Sequence, residues 1–407
     1  MIPLPISLLA GLGQVHARED QFTGVQVDSR RLAPGDLFVA VGRGSEFLDD
    51  ARSRGAAATF VPDDAFAALG RIAREVRDRS NARVVGITGS MGKTSTKDIL
   101  AALCAPAART IAAEASFNNE IGVPLTLCRL EADTEVCIVE LAMRGFGQIA
   151  DLCEIARPDI GVITNIGPVH LELVESVEGV QRAKSELVEA LPPGGAAIVP
   201  ADFRVDRDDL DVVHLGTPDG HAGDGRTVVG GVSFNVTAPH QVQNAAAALA
   251  ALDALGLPRP TRVDVDFSRW RGDEGELPGG GLLINDAYNA NPVSMRAALA
   301  YLVQRAEGRR RVAILGDMAE LGRTAPAYHH EVGEAAAELG IDELLAVGEL
   351  ARGYLTGGVH GRWVPNVHEA LRELDEVVRP GDAVLVKASR ALGLEAVAEA
   401  LTKVPTA

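Results

Sequence analysis

Short apolar runs alternate with amphipathic segments along most of this 407-residue chain. Runs at residues 84–87, 136–139 and 160–164 are bounded by charged residues, glycine or proline, which is typical of strands buried in a parallel sheet. Segments such as residues 65–79 place apolar residues at helical spacing between these runs. The alternation predicts an α/β protein whose parallel sheets are covered by helices.

The pattern divides into three successive α/β units. We predict a small N-terminal domain at residues 1–82, a central parallel-sheet domain at residues 83–280, and a C-terminal domain at residues 281–407. The C-terminal unit is Rossmann-like but lacks the G-x-G-x-x-G fingerprint. The last boundary is expected within residues 267–281, where glycine and acidic residues cluster. Strands are predicted at residues 25–28, 36–41, 57–61, 196–199, 282–285, 311–315, 344–347 and 383–386.

One stretch, residues 83–104 (RVVGITGSMGKTSTKDILAALC), has the sequence of a phosphate-binding loop. Glycine lets backbone N–H groups approach phosphates, Lys93 neutralises their charge, and the Thr94 hydroxyl suits Mg²⁺. The motif is shortened, because position 87 is Ile where the strict pattern has Gly. A plain strand-to-helix turn is the alternative, but Lys-Thr at the helix start favours a nucleoside triphosphate site. The predicted phosphate-binding residues are Gly89, Ser90, Gly92, Lys93, Thr94 and Ser95.

Polar residues follow two further predicted strands of the central domain. Glu140 ends one, Asn165 ends the next, and His170 follows after a Gly-Pro turn. Ligands of open α/β sheets bind outside the carboxyl ends of the strands, so these side chains should gather near Lys93. A carboxylate there suits Mg²⁺. Taken singly, Glu140 fits a helix cap and His170 a buried histidine, but three such residues beside a phosphate loop favour a site.

Three other places have weaker signals. The Asp28-Ser29-Arg30 turn ends a predicted strand, where either a ligand contact or a solvated turn is expected. Lys184 stands at the predicted start of an amphipathic helix and by itself is an ordinary surface lysine. His240 and Asn244 share one face of a predicted helix by their i, i+4 spacing.

Composition excludes several classes of function. Asp and Glu outnumber Lys and Arg by 56 to 39, giving a net charge of −17 without any long basic run, which argues against nucleic acid and anionic membranes as partners. No apolar stretch reaches the length of a transmembrane helix, and the first 18 residues lack the basic start of a signal peptide. The four cysteines show no C-x-x-C pairing and are predicted to be buried thiols of a cytoplasmic protein: Cys104, Cys128, Cys137 and Cys153.

Several stretches together resemble the Mur ligase family. They are TGSMGKTSTKD, SFNNEIGVPLTL, TNIGPVHLE, AKSE, DAYNANPVSM, ILGDMAELG and KASR, in the family's order, with an N-terminal DSRRLAPGDLFVAVGRG that resembles its UDP-binding domain. The resemblance covers nearly the whole chain and implies an ATP-dependent amide ligase of peptidoglycan synthesis. DAYNANP and GDMAELG are similar to the members that join D-alanyl-D-alanine to UDP-MurNAc-tripeptide through an acyl phosphate. The resemblance to the family also implies that the protein is a monomer.

The resemblance further implies roles for individual residues. Thr94 and Glu140 would hold a Mg²⁺ ion at the phosphates, and His170 a second metal ion. Lys184 resembles the family's carbamylated lysine, whose added carboxylate binds that second ion. Arg271 resembles the arginine that reaches the γ-phosphate. The remaining implied contacts are His240 and Asn244 with adenine, Asn165, Asp286 and Asn289 with the nucleotide, Ser29 and Arg30 with the UDP group, and Asn118, Asn119, Lys387, Ser389 and Arg390 with the substrates.

The chain departs from the family pattern at a few positions. Gly44-Ser45-Glu46-Phe47 replaces the usual D-G-H of the first domain, and Ala142 replaces a glycine. Neither change removes a phosphate or metal ligand, so activity is expected. Two alternatives remain at this stage. One is another ligase of the same fold, such as MurE or folylpolyglutamate synthetase; the other is a non-catalytic UDP-sugar-binding protein.

Overall fold

The computed structural model describes residues 1–218, 220–223, 225–268 and 272–402. Within these ranges the chain forms helices and five sheets, as predicted for an α/β protein. No helix in the described part is long and apolar enough to cross a membrane.

Contacts divide the chain into two compact units. The first unit consists of Met1–Asn165 and Arg182–Asp266, and the second of Ile166–Gln181 and the chain from Phe267 onward. The short segment Ile166–Gln181 therefore groups with the C-terminal part, although it follows a strand of the central sheet in sequence. The two boundaries between the three domains predicted from the sequence stay predictions.

The N-terminal part of the first unit is built on a four-stranded sheet. Its strands pair in parallel, except that Gly13–Ala17 runs antiparallel to its neighbour. The helix Ala65–Asp78 begins where Asp64 accepts hydrogen bonds from two backbone N–H groups of the first turn. The sequence predicted three of the four strands and missed Gly13–Ala17, whose residues are mostly exposed. In spatial order the strands are Gly13–Ala17, Ala58–Pro62, Asp36–Val39 and Gly24–Gln26.

A six-stranded parallel sheet forms the core of the central region. The strand Arg83–Thr88 lies between Val136–Glu140 and Ile160–Ile163, and the last two are buried throughout. Because the strands are parallel, their carboxyl ends meet at one edge, which carries the phosphate loop. In spatial order the strands are Asp211–Leu215, Ala196–Pro200, Ile160–Ile163, Arg83–Thr88, Val136–Glu140 and Thr110–Ala112. The helices are Lys93–Cys104, Gly122–Leu127, Gln148–Ala156, Leu171–Val174, Val177–Glu189 and Pro239–Ala254.

A small four-stranded sheet follows the central sheet in sequence. It accounts for the glycine- and aspartate-rich region in which the sequence shows only short apolar pieces. Its strands are His221–Gly223, Arg226–Val229, Val232–Phe234 and Arg262–Val263.

The second unit contains a six-stranded sheet that is parallel except at one edge. The edge strand Asp273–Leu277 runs antiparallel to Gly281–Asn285 and lies in a stretch that the sequence predicted as a linker. The other strands match or add to the prediction. In spatial order they are Asp273–Leu277, Gly281–Asn285, Ala383–Lys387, Arg311–Gly316, Glu343–Val347 and Gly361–Val364, and the helices are Pro292–Ala306, Ala325–Glu338, Val367–Val377 and Glu395–Thr402.

Candidate active site

The phosphate loop has the backbone that its glycines predict. Gly89 and Gly92 both have positive φ, at +149° and +79°. A Cβ atom on Gly89 would stand 1.8 Å from the Thr164 hydroxyl, and one on Gly92 would stand 2.3 Å from the Asn244 side-chain oxygen. The loop therefore requires glycine at both positions. The helix of the motif begins directly after it, at Lys93.

Side chains from the neighbouring strand hold this loop. The Asn165 side chain accepts a hydrogen bond from the Met91 N–H at 3.0 Å and donates one to the Met91 carbonyl at 3.1 Å. The Thr164 hydroxyl donates to the same carbonyl at 2.6 Å. Asn165 therefore fixes the backbone of the loop, and its predicted contact with the nucleotide stays a prediction. Thr164 was missed, although it is a polar residue at the same strand end.

A buried pair of a hydroxyl and a carboxylate lies at the start of the loop helix. The Thr94 hydroxyl donates to Glu140 Oε2 at 2.8 Å, and Asn118 Nδ2 donates to Glu140 Oε1 at 2.8 Å. Thr94 and Glu140 are each only 1% exposed. The Lys93 ammonium donates to the Gly89 carbonyl at 2.8 Å, so it lies folded over its own loop. The structure thus brings together Thr94 and Glu140, two of the four predicted metal ligands, at the start of the helix that carries Lys93.

The donor set of this pair fits Mg²⁺. A hydroxyl and a carboxylate are hard oxygen ligands, and Mg²⁺ commonly binds one or two protein groups with water and phosphate oxygens completing its shell. Among the described residues no group of three His, Cys, Asp or Glu side chains is arranged to hold a metal ion. The site therefore suits a metal that arrives with a nucleotide rather than one held in a protein cage.

Lys184 differs from what its sequence context indicates. It lies inside the helix Val177–Glu189 rather than at its start, and it is 2% exposed rather than on the surface. It shares a helix face with the buried Val180 and Leu187, a periodicity that was the available signal. Burial lowers the pKa of its amine well below the usual value, and the nearby Lys93 lowers it further. Its Nζ has no hydrogen bond or ion pair with any residue that the structure describes.

His170 lies in the segment that groups with the second unit. Its Nδ1 is 2.5 Å from Glu320 Oε2, and both residues have positive φ, at +54° and +62°. Non-glycine residues rarely adopt this backbone, and they do so chiefly where function or local packing requires it. Sequence reasoning missed Glu320 as the partner of His170, although it belongs to the GDMAELG stretch that carried the resemblance.

Polar residues also meet at three adjacent strand ends in the second unit. The buried Lys387 donates to Asp286 Oδ2 at 2.5 Å and to the Asn289 carbonyl at 2.9 Å. The Ser389 hydroxyl accepts from the Ala319 N–H at 2.8 Å. These contacts join three stretches that the sequence singled out separately. Arg390, also predicted, pairs with Glu395 at 2.6 Å.

The predicted residues of the first domain form a local turn. Arg30 binds both carboxylate oxygens of Asp28, and these hydrogen bonds lower the pKa of Asp28 to about 2. Ser29 is buried beside them. The replaced motif Gly42–Phe47 forms a 3₁₀ helix.

The other predicted residues have varied positions. Asn244 is buried against Gly92, on the helix Pro239–Ala254 that also carries His240. The Asn119 side chain accepts from the Gly122 N–H at 3.0 Å at the start of a short helix. Arg271 lies outside the described residues. All four cysteines are buried free thiols as predicted, with pKa values raised to about 12 by burial.

Comparison with known proteins gives a match along nearly the whole chain. Residues 87–252 match the model of the Mur ligase middle domain, and residues 274–390 match that of the Mur ligase glutamate ligase domain. The UDP-N-acetylmuramoyl-tripeptide–D-alanyl-D-alanine ligase of Mycobacterium tuberculosis is 35% identical, over 97% of this chain and 95% of that protein. The chain belongs to the Mur ligase family.

Solved MurF structures resemble this chain along nearly its whole length. MurF from Acinetobacter baumannii superposes with a TM-score of 0.86 at 27% identity, covering 99% of both chains. MurF from Thermotoga maritima, solved in complex with ADP, gives a TM-score of 0.77 at 27% identity, covering 93% of this chain and 97% of its own. The α/β fold predicted from the sequence is therefore confirmed as the three-domain Mur ligase fold.

Proposed function

We propose that this Mur ligase joins D-alanyl-D-alanine to UDP-MurNAc-tripeptide at the expense of ATP, giving ADP, phosphate and UDP-MurNAc-pentapeptide for peptidoglycan synthesis. The observation that carries the proposal is the 35% identity, over nearly full length, to a ligase named for this reaction. The intact phosphate loop and its buried Thr94–Glu140 pair support it, because a non-catalytic relative would not need them.

The phosphate loop is the proposed site of ATP. The helix N-terminus at Lys93 and the loop backbone offer N–H groups to phosphate oxygens. Lys93 Nζ, which donates to the Gly89 carbonyl, would transfer this bond to the β- and γ-phosphates when ATP binds. The ADP complex of the Thermotoga maritima MurF supports ATP as the phosphoryl donor.

Thr94 and Glu140 are the proposed ligands of Mg²⁺. When bound, the ion would neutralise charge on the β- and γ-phosphates. The Glu140 carboxylate is already oriented for metal binding, because Asn118 donates to one of its oxygens and Thr94 to the other. Ligand and orienting group are thus set before nucleotide arrives.

Lys184 is the proposed site of a carbamate. Burial lowers the pKa of the Lys184 amine and so favours its neutral form, whose nitrogen lone pair can attack CO₂. A C–N bond forms as one C=O π bond gives its electron pair to oxygen, and the nitrogen loses a proton, which leaves an anionic carbamate. The product would place an anion, which attracts the Lys93 ammonium, where a cation is disfavoured by burial and by Lys93. We further propose that Lys184 in this carbamylated form and His170 act as ligands of a second metal ion.

The chemistry needs no protein nucleophile. A carboxylate oxygen of the tripeptide attacks the γ-phosphorus, and ADP leaves. The amine of D-alanyl-D-alanine then attacks the acyl carbon, and the tetrahedral adduct expels phosphate as the nitrogen loses its proton. The protein's part is to hold the reactants in line and to stabilise charge, as Lys93 does at the phosphates.

The remaining predicted residues complete the proposal. We assign the UDP group to the Ser29–Arg30 turn and the substrates to the side chains of Asn118 and Asn119 and to the Lys387–Arg390 strand end. His240 and Asn244 would face the adenine, Arg271 the γ-phosphate, and Asp286 and Asn289 the nucleotide. We further propose that the enzyme acts as a monomer in the cytoplasm, where ATP is available.

Phosphate release tests this function. Purified protein is incubated with ATP, Mg²⁺ and UDP-MurNAc-tripeptide, with and without D-alanyl-D-alanine. The proposal predicts release that depends on the dipeptide. Release with a different amine would keep ligase chemistry and change the substrate, and no release with any amine would overturn the proposal.

A further inference from the structure

The phosphate-loop helix carries a second lysine, Lys97, that the reaction described above does not use. It lies one turn after Lys93 and is only 3% exposed. Its ammonium donates to the Ala113 carbonyl at 2.8 Å and pairs with Asp98 at 2.7 Å. A buried lysine is costly unless its charge is paired and its protons are bound, so these contacts are a built feature rather than a surface accident.

Ala113 is the first residue of a loop whose Asn118 side chain contacts Glu140, the proposed metal ligand. We call residues 113–121 the Asn118 loop. Its Asn118 donates to Glu140 Oε1 at 2.8 Å, and the Asn118 carbonyl accepts from the Ala142 N–H at 2.9 Å. Ala115, between the two ends, has a φ of +46°, which is strained for a residue with a side chain. The loop backbone is thus held in one conformation that delivers Asn118 to Glu140.

Other contacts at the start of the loop are more exposed. Arg31 binds Glu114 at 2.6 Å, and Arg129 donates to the Ala112 carbonyl at 2.9 Å. The side chains of Arg31 and Arg129 are 47% and 41% exposed. Exposed ion pairs contribute little because water competes for them. Lys97 is therefore the main side-chain restraint on the loop's first carbonyl.

We propose that Lys97 is a positioning residue for the metal site: by holding Ala113 it fixes the Asn118 loop, and through Asn118 it sets the orientation of Glu140. The inference rests on the proposed role of Glu140 as a metal ligand. Two segments contact the Glu140 carboxylate: the helix that carries Thr94 and Lys97, and the loop that carries Asn118. Lys97 would connect them, because it lies on the helix and holds the loop at Ala113.

A double-mutant cycle separates positioning from general stability. The binding of Mn²⁺ together with ADP is measured by titration with electron paramagnetic resonance for the wild type, Lys97→Met, Asn118→Ala and the double variant. Loss of a group that orients a metal ligand weakens metal binding by about 10- to 100-fold, so each single variant should lose about tenfold. Because Lys97 acts through Asn118, the double variant should also lose only about tenfold.

Two further variants sharpen the cycle. Arg83 also donates to a backbone carbonyl, that of Ala254, but it lies at the start of the strand Arg83–Thr88, at the end away from the phosphate loop. Arg83→Met should therefore leave Mn²⁺ binding unchanged. Lys97→Arg keeps the charge and the donor and should restore most of the affinity. Melting curves report whether each variant folds. If Lys97→Met does not fold, Lys97→Gln takes its place in the cycle.

Additive losses, about a hundredfold in the double variant, would overturn the proposal, since Lys97 would then act independently of Asn118. Unchanged affinity in folded Lys97→Met would overturn it as well. Failure of the wild type to bind Mn²⁺ with ADP would instead overturn the proposed function, and this inference with it.

Discussion

Lys184 is buried on a helix face with apolar neighbours, and its Nζ has no partner among the described residues. A carbamate on Lys184 would carry a negative charge that Lys93 and metal ions would stabilise. Lys184→Ala should therefore lower kcat by about 100-fold or more, as does removal of a charge-stabilising group in other enzymes. Short carboxylic acids such as formate or acetate should restore part of the activity by filling the space. Full activity of the variant would contradict the proposal and leave Lys184 as a structural residue.

Single residues also show where sequence reasoning reaches its limit. Lys93, Thr94 and Glu140 were predictable, because a motif and a strand end fix where they lie. The orienting roles of Asn118 and Asn165 were not, since each depends on a hydrogen bond between segments far apart in sequence. Lys184 was misplaced on the surface because a lysine is rarely buried, and its residue type outweighed the helical periodicity around it.

At the scale of elements, the phosphate loop depends on its close approach to the helix Pro239–Ala254. Gly92→Ala would place a Cβ atom 2.3 Å from the Asn244 oxygen, in a backbone with φ +79°. ADP affinity measured by calorimetry should fall by about tenfold or more, since even 1.4 kcal/mol of displaced contact has that effect.

The chain offers a matched control for that substitution. Gly194 has nearly the same φ, +77°, but no atom lies within 4 Å of the Cβ that an alanine would add. Gly194→Ala carries the same backbone strain and should lower the melting temperature without weakening ADP binding. Equal ADP affinity in both variants would contradict the account of the loop.

The helix Ala325–Glu338 holds a second strand-end loop through a buried histidine. His329 Nε2 accepts from the Met318 N–H at 3.0 Å while Nδ1 contacts the Ala325 carbonyl at 2.6 Å, which requires the neutral ring. Burial lowers the pKa of His329, and the hydrogen bond with the Ala325 carbonyl and the nearby Asp317 oppose this only in part. Stability from this group is thus complete above the unfolded pKa of about 6.5 and falls as pH drops below it, by up to about 1.4 kcal/mol per unit.

Calorimetric melting temperatures between pH 8 and pH 5 test this point. The wild type should lose melting temperature on acidification more steeply than His329→Gln, which lacks the titrating group. The variant itself should be less stable at pH 8 by about 1–3 kcal/mol, because a buried hydrogen-bonding partner is lost. Parallel pH profiles would show that His329 does not titrate on unfolding.

The elements themselves were largely predictable. Buried parallel strands are continuous apolar runs, and Val136–Glu140 and Ile160–Ile163 were found for that reason. The edge strand Asp273–Leu277 was missed because it alternates between acidic residues and small or apolar ones, and its pairing depends on a neighbour rather than on its own sequence. Gly13–Ala17 was missed because its residues are mostly exposed and contain no apolar run.

For the whole molecule, the sequence predicted the α/β class and the family. It did not predict how the chain divides into two compact units. Ile166–Gln181 groups with the second unit through contacts such as His170 with Glu320, which are separated by 150 positions. No local pattern encodes such a pairing. The net charge of −17 also acts at this scale, because anionic substrates must be held by local groups such as Lys93 against the overall field.

The central claim is that the chain activates a carboxylate with ATP and joins it to D-alanyl-D-alanine. The most direct measurement uses UDP-MurNAc-tripeptide labelled with ¹⁸O in its terminal carboxylate and follows the products by mass spectrometry. Activation of the carboxylate as an acyl phosphate should give UDP-MurNAc-pentapeptide together with phosphate that carries one ¹⁸O atom from the carboxylate. Phosphate without label, or no pentapeptide while ATP is consumed, would contradict it.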